Sequence, residues 1–180
     1  MAFTIIEINS EHARSDFCCG KNDDIDRFCR EFALDHNTND FTRVKVALGD
    51  DQRVVGFYTL AANNLRGNKK LMQYLDGHEK DCPAFHLQMI AICQNQERKS
   101  LGPALMYHAF RSAVRAAKDV GARLIFLQAA SQSLVPYYEG YGFRLIERGT
   151  GTMYVPMNLV RDAVSEPEAT NDDQNETAAA

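Results

Sequence analysis

Apolar positions along the chain alternate between strand-like runs and helix-like spacing. Residues 3 to 8 form a short β-rich run. Over residues 23 to 36, Ile25, Cys29, Phe32 and Ala33 recur at helical spacing, and Asn22 or Asp23 can cap the start. Residues 43 to 48 alternate, with Val44 and Val46 on one face, and a turn at residues 49 to 51 leads into a second strand at 53 to 61. Residues 65 to 84 are mainly polar and predict a loop with a helical turn. Residues 85 to 93 are strongly β-like, and 94 to 102 carry neither pattern. Pro103 needs no amide hydrogen bond in a first turn, so it predicts a helix start. Met106, Phe110, Ala113, Ala117 and Val120 make that helix's apolar stripe, and Gly121 stops it. A buried strand at 124 to 127, a short helix at 134 to 141, and a hairpin of 143 to 146 with 153 to 157 complete the body. This order predicts an α/β fold with one mixed sheet and helices on both faces.

The length of 180 residues suits one domain with a tail. The body is assigned to residues 1–163 and the tail to 164–180. The tail holds no aromatic residue and no Lys or Arg, which predicts disorder. Its acids are Glu166, Glu168, Asp172, Asp173 and Glu176; without those five, the net charge of −4 becomes +1. A near-neutral body neither announces nor excludes a nucleic-acid surface. No apolar run reaches membrane-spanning length, and the first residues lack a signal-peptide pattern, so a cytoplasmic location is expected. Five cysteines with no C-x-x-C pair predict reduced thiols, and the five histidines have no metal spacing. No metal site is expected.

The chemistry concentrates where strand, polar loop and helix meet. A helix start offers unpaired amides and the positive end of the dipole, and small residues such as Ser100 and Gly102 let a phosphate approach them. Alone, this pattern is common. Two motifs add to it. The loop reads Glu97, Arg98, Lys99, Ser100, Leu101, Gly102, Pro103 after a strand ending Ile90, Ala91, Ile92. Further on stands Pro136, Tyr137, Tyr138, Glu139, Gly140, Tyr141, Gly142, Phe143. In these motifs the chain resembles the GCN5-related N-acetyltransferase superfamily, from about residue 5 to residue 159. The family pattern at the loop is Gln/Arg-x-x-Gly-x-Gly/Ala, so Glu97 stands where Gln or Arg is usual, and Ser100 where a glycine is.

The resemblance implies the fold of that superfamily and acetyl-coenzyme A as cofactor. It implies that Ile90, Ala91 and Ile92 hold the pantetheine arm, and that Glu97, Arg98, Lys99, Ser100, Leu101, Gly102 and Pro103 form the pyrophosphate loop. Two further stretches, Phe17-Cys18-Cys19-Gly20 with Ile25-Asp26-Arg27-Phe28, and Val54-Val55-Gly56-Phe57-Tyr58, resemble one subgroup: the acetyltransferase toxins of bacterial toxin–antitoxin modules. That likeness implies acetyl transfer to the α-amine of an aminoacyl-tRNA, a ribbon-helix-helix antitoxin and a homodimer. Two alternatives stand beside it: an acetyltransferase acting on small molecules or proteins, and a catalytically impaired domain that binds a partner.

Direct transfer needs a proton for the leaving thiolate. Tyr138 is the expected general acid, because a phenol with an ordinary pKa near ~10 matches a thiolate; Tyr137 and Tyr141 are expected to pack or to line the rim. The rival is a ping-pong route through Cys93, with His86 seven positions earlier as the nearest histidine on its strand. For a tRNA acceptor, basic contacts are expected from Arg66, Lys69 and Lys70, with Arg43, Lys45, Arg98 and Lys99 as further candidates.

Overall fold

The computed structural model describes residues 3–20, 22–49, 51–66, 71, 81–96, 100–147 and 149–165. Seven strands form one mixed sheet in the order β1-β2-β3-β4-β5-β7-β6. They are β1 (Thr4–Glu7), β2 (Arg43–Leu48), β3 (Val54–Arg66), β4 (Asp81–Ile92), β5 (Leu124–Gln128), β6 (Arg144–Leu145) and β7 (Thr152–Pro156). The helices are α1 (Asp23–Arg27), α2 (Ala33–Thr38), α3 (Leu101–Ala116), α4 (Val135–Glu139) and α5 (Met157–Ser165). A π-helical turn, Phe28–Phe32, joins α1 to α2. Every described strand pair is antiparallel except β4 with β5. The predicted α/β mixed-sheet architecture is the observed one.

Several boundaries differ from the sequence reading. β3 and β4 reach further, from Gly56↔Ile92 out to Arg66↔Asp81, so residues 65, 66 and 81–84 of the expected loop are strand, and most of the remaining loop lies outside the described residues. Helix α3 starts at Leu101, two residues before Pro103, and ends at Ala116 rather than near Val120. A helix not foreseen, α5, follows β7 directly and runs two residues past the expected body boundary at 163. The rest of the acidic tail lies outside the described residues.

The two faces of the sheet bury different sets. On one face α3 and α5 cover Tyr58, Phe85, Leu87, Ile125 and Leu127 through Leu105, Met106, Phe110 and Val160. On the other, α1 and its π turn cover Phe57, Val44 and Val46 with Phe17, Phe28 and Cys29. Asn22 caps α1, its side chain accepting from the amides of Asp24 (3.0 Å) and Ile25 (3.4 Å), a contact worth about 1 kcal/mol. A third cluster on this second face gathers Leu65, Ala84, Phe126 and Tyr154 beneath the far end of the hairpin.

Candidate active site

The site begins with an irregularity in β4. Thr59 pairs with Met89 and Leu60 with Leu87, so Gln88 is an extra residue opposite no partner. Such a bulge bends its strand and reverses the alternation beyond it. The burial pattern carries the reversal. Phe85 and Leu87 face α3, and beyond the bulge it is Ile90 and Ile92 that pack on that side. Met89, Ala91 and Cys93 turn to the other face. The buried Thr59 hydroxyl accepts the Met89 amide at 3.1 Å, which satisfies a donor next to the bulge.

The bend parts β4 from β5. Their parallel pairing covers only Ala84↔Leu124, Phe85↔Ile125 and His86↔Phe126. Beyond His86, β4 runs on for six residues with β3 alone as its strand partner. A slot thus opens through the sheet, with the backbone of residues 87–92 along one wall. Unpaired edge backbone of this kind can bind an extended amide-bearing chain by strand addition. Ile90, Ala91 and Ile92, the residues expected to hold such a chain, line this wall and are half-buried.

At the slot's mouth on the α3 face lies the start of α3. Ser100 sits in the left-handed region at φ 60°, and its side chain makes no cap hydrogen bond. The amides of Leu101 and Gly102 bond to no described residue, Pro103 has no amide, and the first turn carries no acid. Among the described residues nothing caps this positive helix end beside the slot. Leu101, fully buried, anchors it. It reaches the sheet because Gly56 has no side chain: a Cβ there would stand 3.0 Å from Leu105 Cδ1 and 3.2 Å from both Leu101 Cδ2 and the Ala91 carbonyl. Glu97, Arg98 and Lys99 lie outside the described residues.

Helix α4 brings the tyrosines to this end. Tyr138 is buried, with its ring edge-on to Tyr137 (5.3 Å) and Phe143 (6.0 Å). Its hydroxyl has no hydrogen-bond partner among the described residues, and burial raises its pKa, so the phenol holds its proton at neutral pH. Tyr137, read from the sequence as a packing or rim residue, is the tyrosine at the helix start. A Cβ on Gly102 would lie 3.0 Å from its hydroxyl, which accepts from Tyr141 at 3.3 Å. Burial, then the Tyr141 hydrogen bond, pushes Tyr137 upward as well. Spacing alone could not separate Tyr137 from Tyr138. The helical offset to Tyr141, four residues on, was the available signal.

Cys93 is not at the slot. Its thiol points into the second core beside Val54, whose carbonyl accepts from it at 3.7 Å, and its amide bonds Val55 at 2.8 Å. Burial raises its pKa, which disfavours the thiolate a ping-pong route needs. All five cysteines are free thiols. His86 stacks flat on Phe126 (4.2 Å, 11°) at the closed end of the slot. Among the described residues no group of three or more His, Cys, Asp or Glu side chains could hold a metal ion, and no helix is long and apolar enough to cross a membrane.

Of the expected basic contacts, Arg66 is exposed at the end of β3, across from Asp81, while Lys69 and Lys70 lie outside the described residues. Arg43 is tied to Asp40 (2.8 Å) and Lys45 to Glu7 (2.9 Å) in surface ion pairs.

No family model matches the chain. A tRNA-acetylating toxin of Mycobacterium tuberculosis (strain ATCC 25618 / H37Rv) is 26% identical over 121 residues, covering 67% of this chain and 72% of that protein. Among solved structures, a tyrosine-to-phenylalanine mutant of KacT superposes with a TM-score of 0.81 at 22% identity, covering 91% of this chain and 99% of KacT. AtaT complexed with acetyl-methionyl-tRNAfMet gives 0.80 at 18% identity, over 90% and 99% of the two chains. AtaT carrying a tyrosine-to-phenylalanine mutation, bound to acetyl-CoA and the C-terminus of the antitoxin AtaR, gives 0.75 at 19%, over 91% and 98%. The chain therefore shares the fold of these proteins, and its resemblance to the acetyltransferase toxins extends from local motifs to the whole body.

Proposed function

We propose that this chain is an acetyl-coenzyme A-dependent N-acetyltransferase that acetylates the α-amine of aminoacyl-tRNA and acts as the toxin of a toxin–antitoxin pair. The observation that carries the reading is the slot between β4 and β5, with a free helix start and a protonated tyrosine at its α3 end. The curated relative that is 26% identical acetylates tRNA, and AtaT is solved both with an acetylated aminoacyl-tRNA and with acetyl-CoA. By that likeness the chain acts in the cytoplasm, pairs with a ribbon-helix-helix antitoxin and forms a homodimer, with the short edge strand β6 as one candidate contact.

The residues fit the cofactor. Leu101 and Gly102 supply amides that no described residue engages, suited to a pyrophosphate, and Ser100 holds the left-handed turn just before them. Main-chain groups of Ile90 and Ile92, which alternation turns away from β3, match an amide-bearing pantetheine arm, while those of Ala91 face Phe57 on β3. Bound there, the cofactor supplies an activated acetyl thioester. Tyr138 then protonates the departing sulfur, a role that requires the neutral phenol its burial maintains. The Ile92 amide, which the antiparallel alternation turns away from β3, would polarise the thioester carbonyl. No protein nucleophile is needed when both substrates sit in one slot. Arg66 and the basic pair Lys69 and Lys70 would contact acceptor phosphates.

Expression in a bacterial host tests the reading in cells. Growth should stop on induction and resume with Tyr138→Phe at equal protein level. Unimpeded growth with the unaltered chain, or arrest that persists with Tyr138→Phe, would contradict it.

A further inference from the structure

We propose that the acidic segment 166–176 docks on a stripe of basic side chains along α3 of its own chain, and that this contact screens the stripe from other polyanions. The contact lies outside the slot and is independent of the acetyltransferase reading.

The stripe stands out by how the described cations are partnered. Before β3, every described basic side chain is engaged. Arg27 pairs with Glu31, Arg43 with Asp40, Lys45 with Glu7, and Arg53 with Asp16 and Asp51. Arg14 and Arg30 donate to main-chain carbonyls. On the α3 side the pattern reverses. Arg111, Arg115, Lys118, Arg123 and Arg161 are exposed, and none has an acidic partner among the described residues. Arg111, Arg115 and Lys118 are spaced four and three apart, so they share the outer face of α3 and the turn that follows it. Leu105, Met106, Phe110 and Ala113 hold the opposite face on the sheet. Arg111 lies over the Tyr107 ring at 6.0 Å, which positions its charge without neutralising it. Helix α3 itself carries no Asp or Glu. The acids nearest in sequence are Asp119 and Asp162, too few to balance the five cations.

The position of α5 names the occupant. Its first residue, Met157, donates its amide to the Arg123 carbonyl (2.9 Å), just past the end of α3. Val160 is buried in the α3-side core, and Val164, one residue before the helix ends at Ser165, still packs against that core. The chain therefore leaves α5 beside α3. Residues 166–176 then bring Glu166, Glu168, Asp172, Asp173 and Glu176, with no Lys or Arg. Asp172 lies seven residues past Ser165, a reach of up to about 23 Å. The sixteen residues of α3 span about 24 Å. The acids can thus reach Arg111, Arg115 and Lys118. Exposed ion pairs are weak one at a time, but the tether holds these acids near the stripe at an effective concentration in the millimolar range. A free polyanion has to displace them.

The test records backbone amide spectra by NMR on the full chain at low salt. One variant neutralises the tail, with Glu166→Gln, Glu168→Gln, Asp172→Asn, Asp173→Asn and Glu176→Gln together. A second neutralises the stripe, with Arg111→Gln, Arg115→Gln and Lys118→Gln. We expect the first to shift the amides around Arg111 and Arg115, and the second to shift those of Asp172 and Asp173. Both shifts should be unchanged on tenfold dilution. Salt at about 0.5 M, where the screening length falls to roughly 4 Å, should reproduce them in the unaltered protein. Heparin should move the Asp172 and Asp173 amides of the unaltered protein in the same direction, by displacing the tail. Changes confined to α5 and the substituted residues would overturn the proposal. So would shifts that fade on dilution, which place the tail on a second copy, or heparin that shifts the α3 amides and leaves those of the tail in place. If a variant does not fold, tail and α3 amides of the unaltered protein that respond to neither salt nor heparin overturn it on their own. None of these outcomes depends on whether the protein acetylates a substrate, so either reading can fail and leave the other in place.

Discussion

The hydroxyl of Tyr137 lies against Gly102: a single Cβ added to the glycine would come within 3.0 Å of it. The contact brings α4 against the first turn of α3 and leaves that turn open to an anion. Gly102→Ala should displace the Tyr137 hydroxyl and narrow the cradle. The expected result is roughly tenfold weaker acetyl-CoA binding by calorimetry, about 1.4 kcal/mol, with the fold intact.

Ser100 holds a positive φ of 60° with no side-chain cap to offset it. A residue with a Cβ in this region costs on the order of 1 kcal/mol relative to glycine. Ser100→Gly should therefore stabilise the protein by about 1 kcal/mol, a rise of roughly 2–4 °C in Tm. It should also bind acetyl-CoA at least as tightly. Loss of stability would show that the serine hydroxyl makes a compensating contact.

Removing Cys93 should leave chemistry intact. The thiol faces the second core and donates to Val54, away from the slot. Cys93→Ala should keep kcat within about twofold, because no step of direct transfer involves that group. Intact-mass measurement of the unaltered protein with acetyl-CoA alone should detect no acetyl-enzyme.

Asp26 fastens the N-terminal loop. Burial alone would raise its pKa, but the Cys19 amide at 2.7 Å and the thiols of Cys19 and Cys18 outweigh that and bring it below its ordinary value of 3.8. A carboxyl depressed in the folded state stabilises fully above its unfolded pKa, and the contribution is lost as pH falls through the folded one. Denaturation followed as pH falls below the ordinary value of 3.8 should show this slope, and Asp26→Asn should flatten it. Asp26→Ala strands the Cys19 amide, with an expected loss of about 1–3 kcal/mol.

Much of the fold was legible because the strands alternate cleanly and the two motifs keep their order. What stayed hidden has physical causes. The bulge at Gln88 was not legible, because the alternation of Phe85, His86, Leu87, Gln88 and Met89 gives way to a continuous apolar run from Ile90 to Cys93 that fits either face of a sheet. The long hairpin was truncated because Asn63, Asn64 and Pro83 carry turn character, yet pairing across Asn63↔Ala84 and Asn64↔Pro83 overrides it. Helix α5 had its signal in Met157 and Val160, three apart and both buried, but it abuts a strand with no intervening loop. Pro103 marks a helix start by sequence, yet the helix gains two earlier residues, Leu101 and Gly102, after Ser100's left-handed turn. The slot depends on strand divergence, a tertiary property, so its motifs pointed to a site whose form they could not supply.

The most direct measurement supplies the full chain with isotope-labelled acetyl-CoA and a set of charged tRNAs, and reads the released amino acids by mass spectrometry. The account predicts label on the α-amine of at least one aminoacyl-tRNA and none on uncharged tRNA. It also predicts a fall of about 100-fold or more with Tyr138→Phe while acetyl-CoA still binds. Label on no charged tRNA, or an equal rate with Tyr138→Phe, would contradict it.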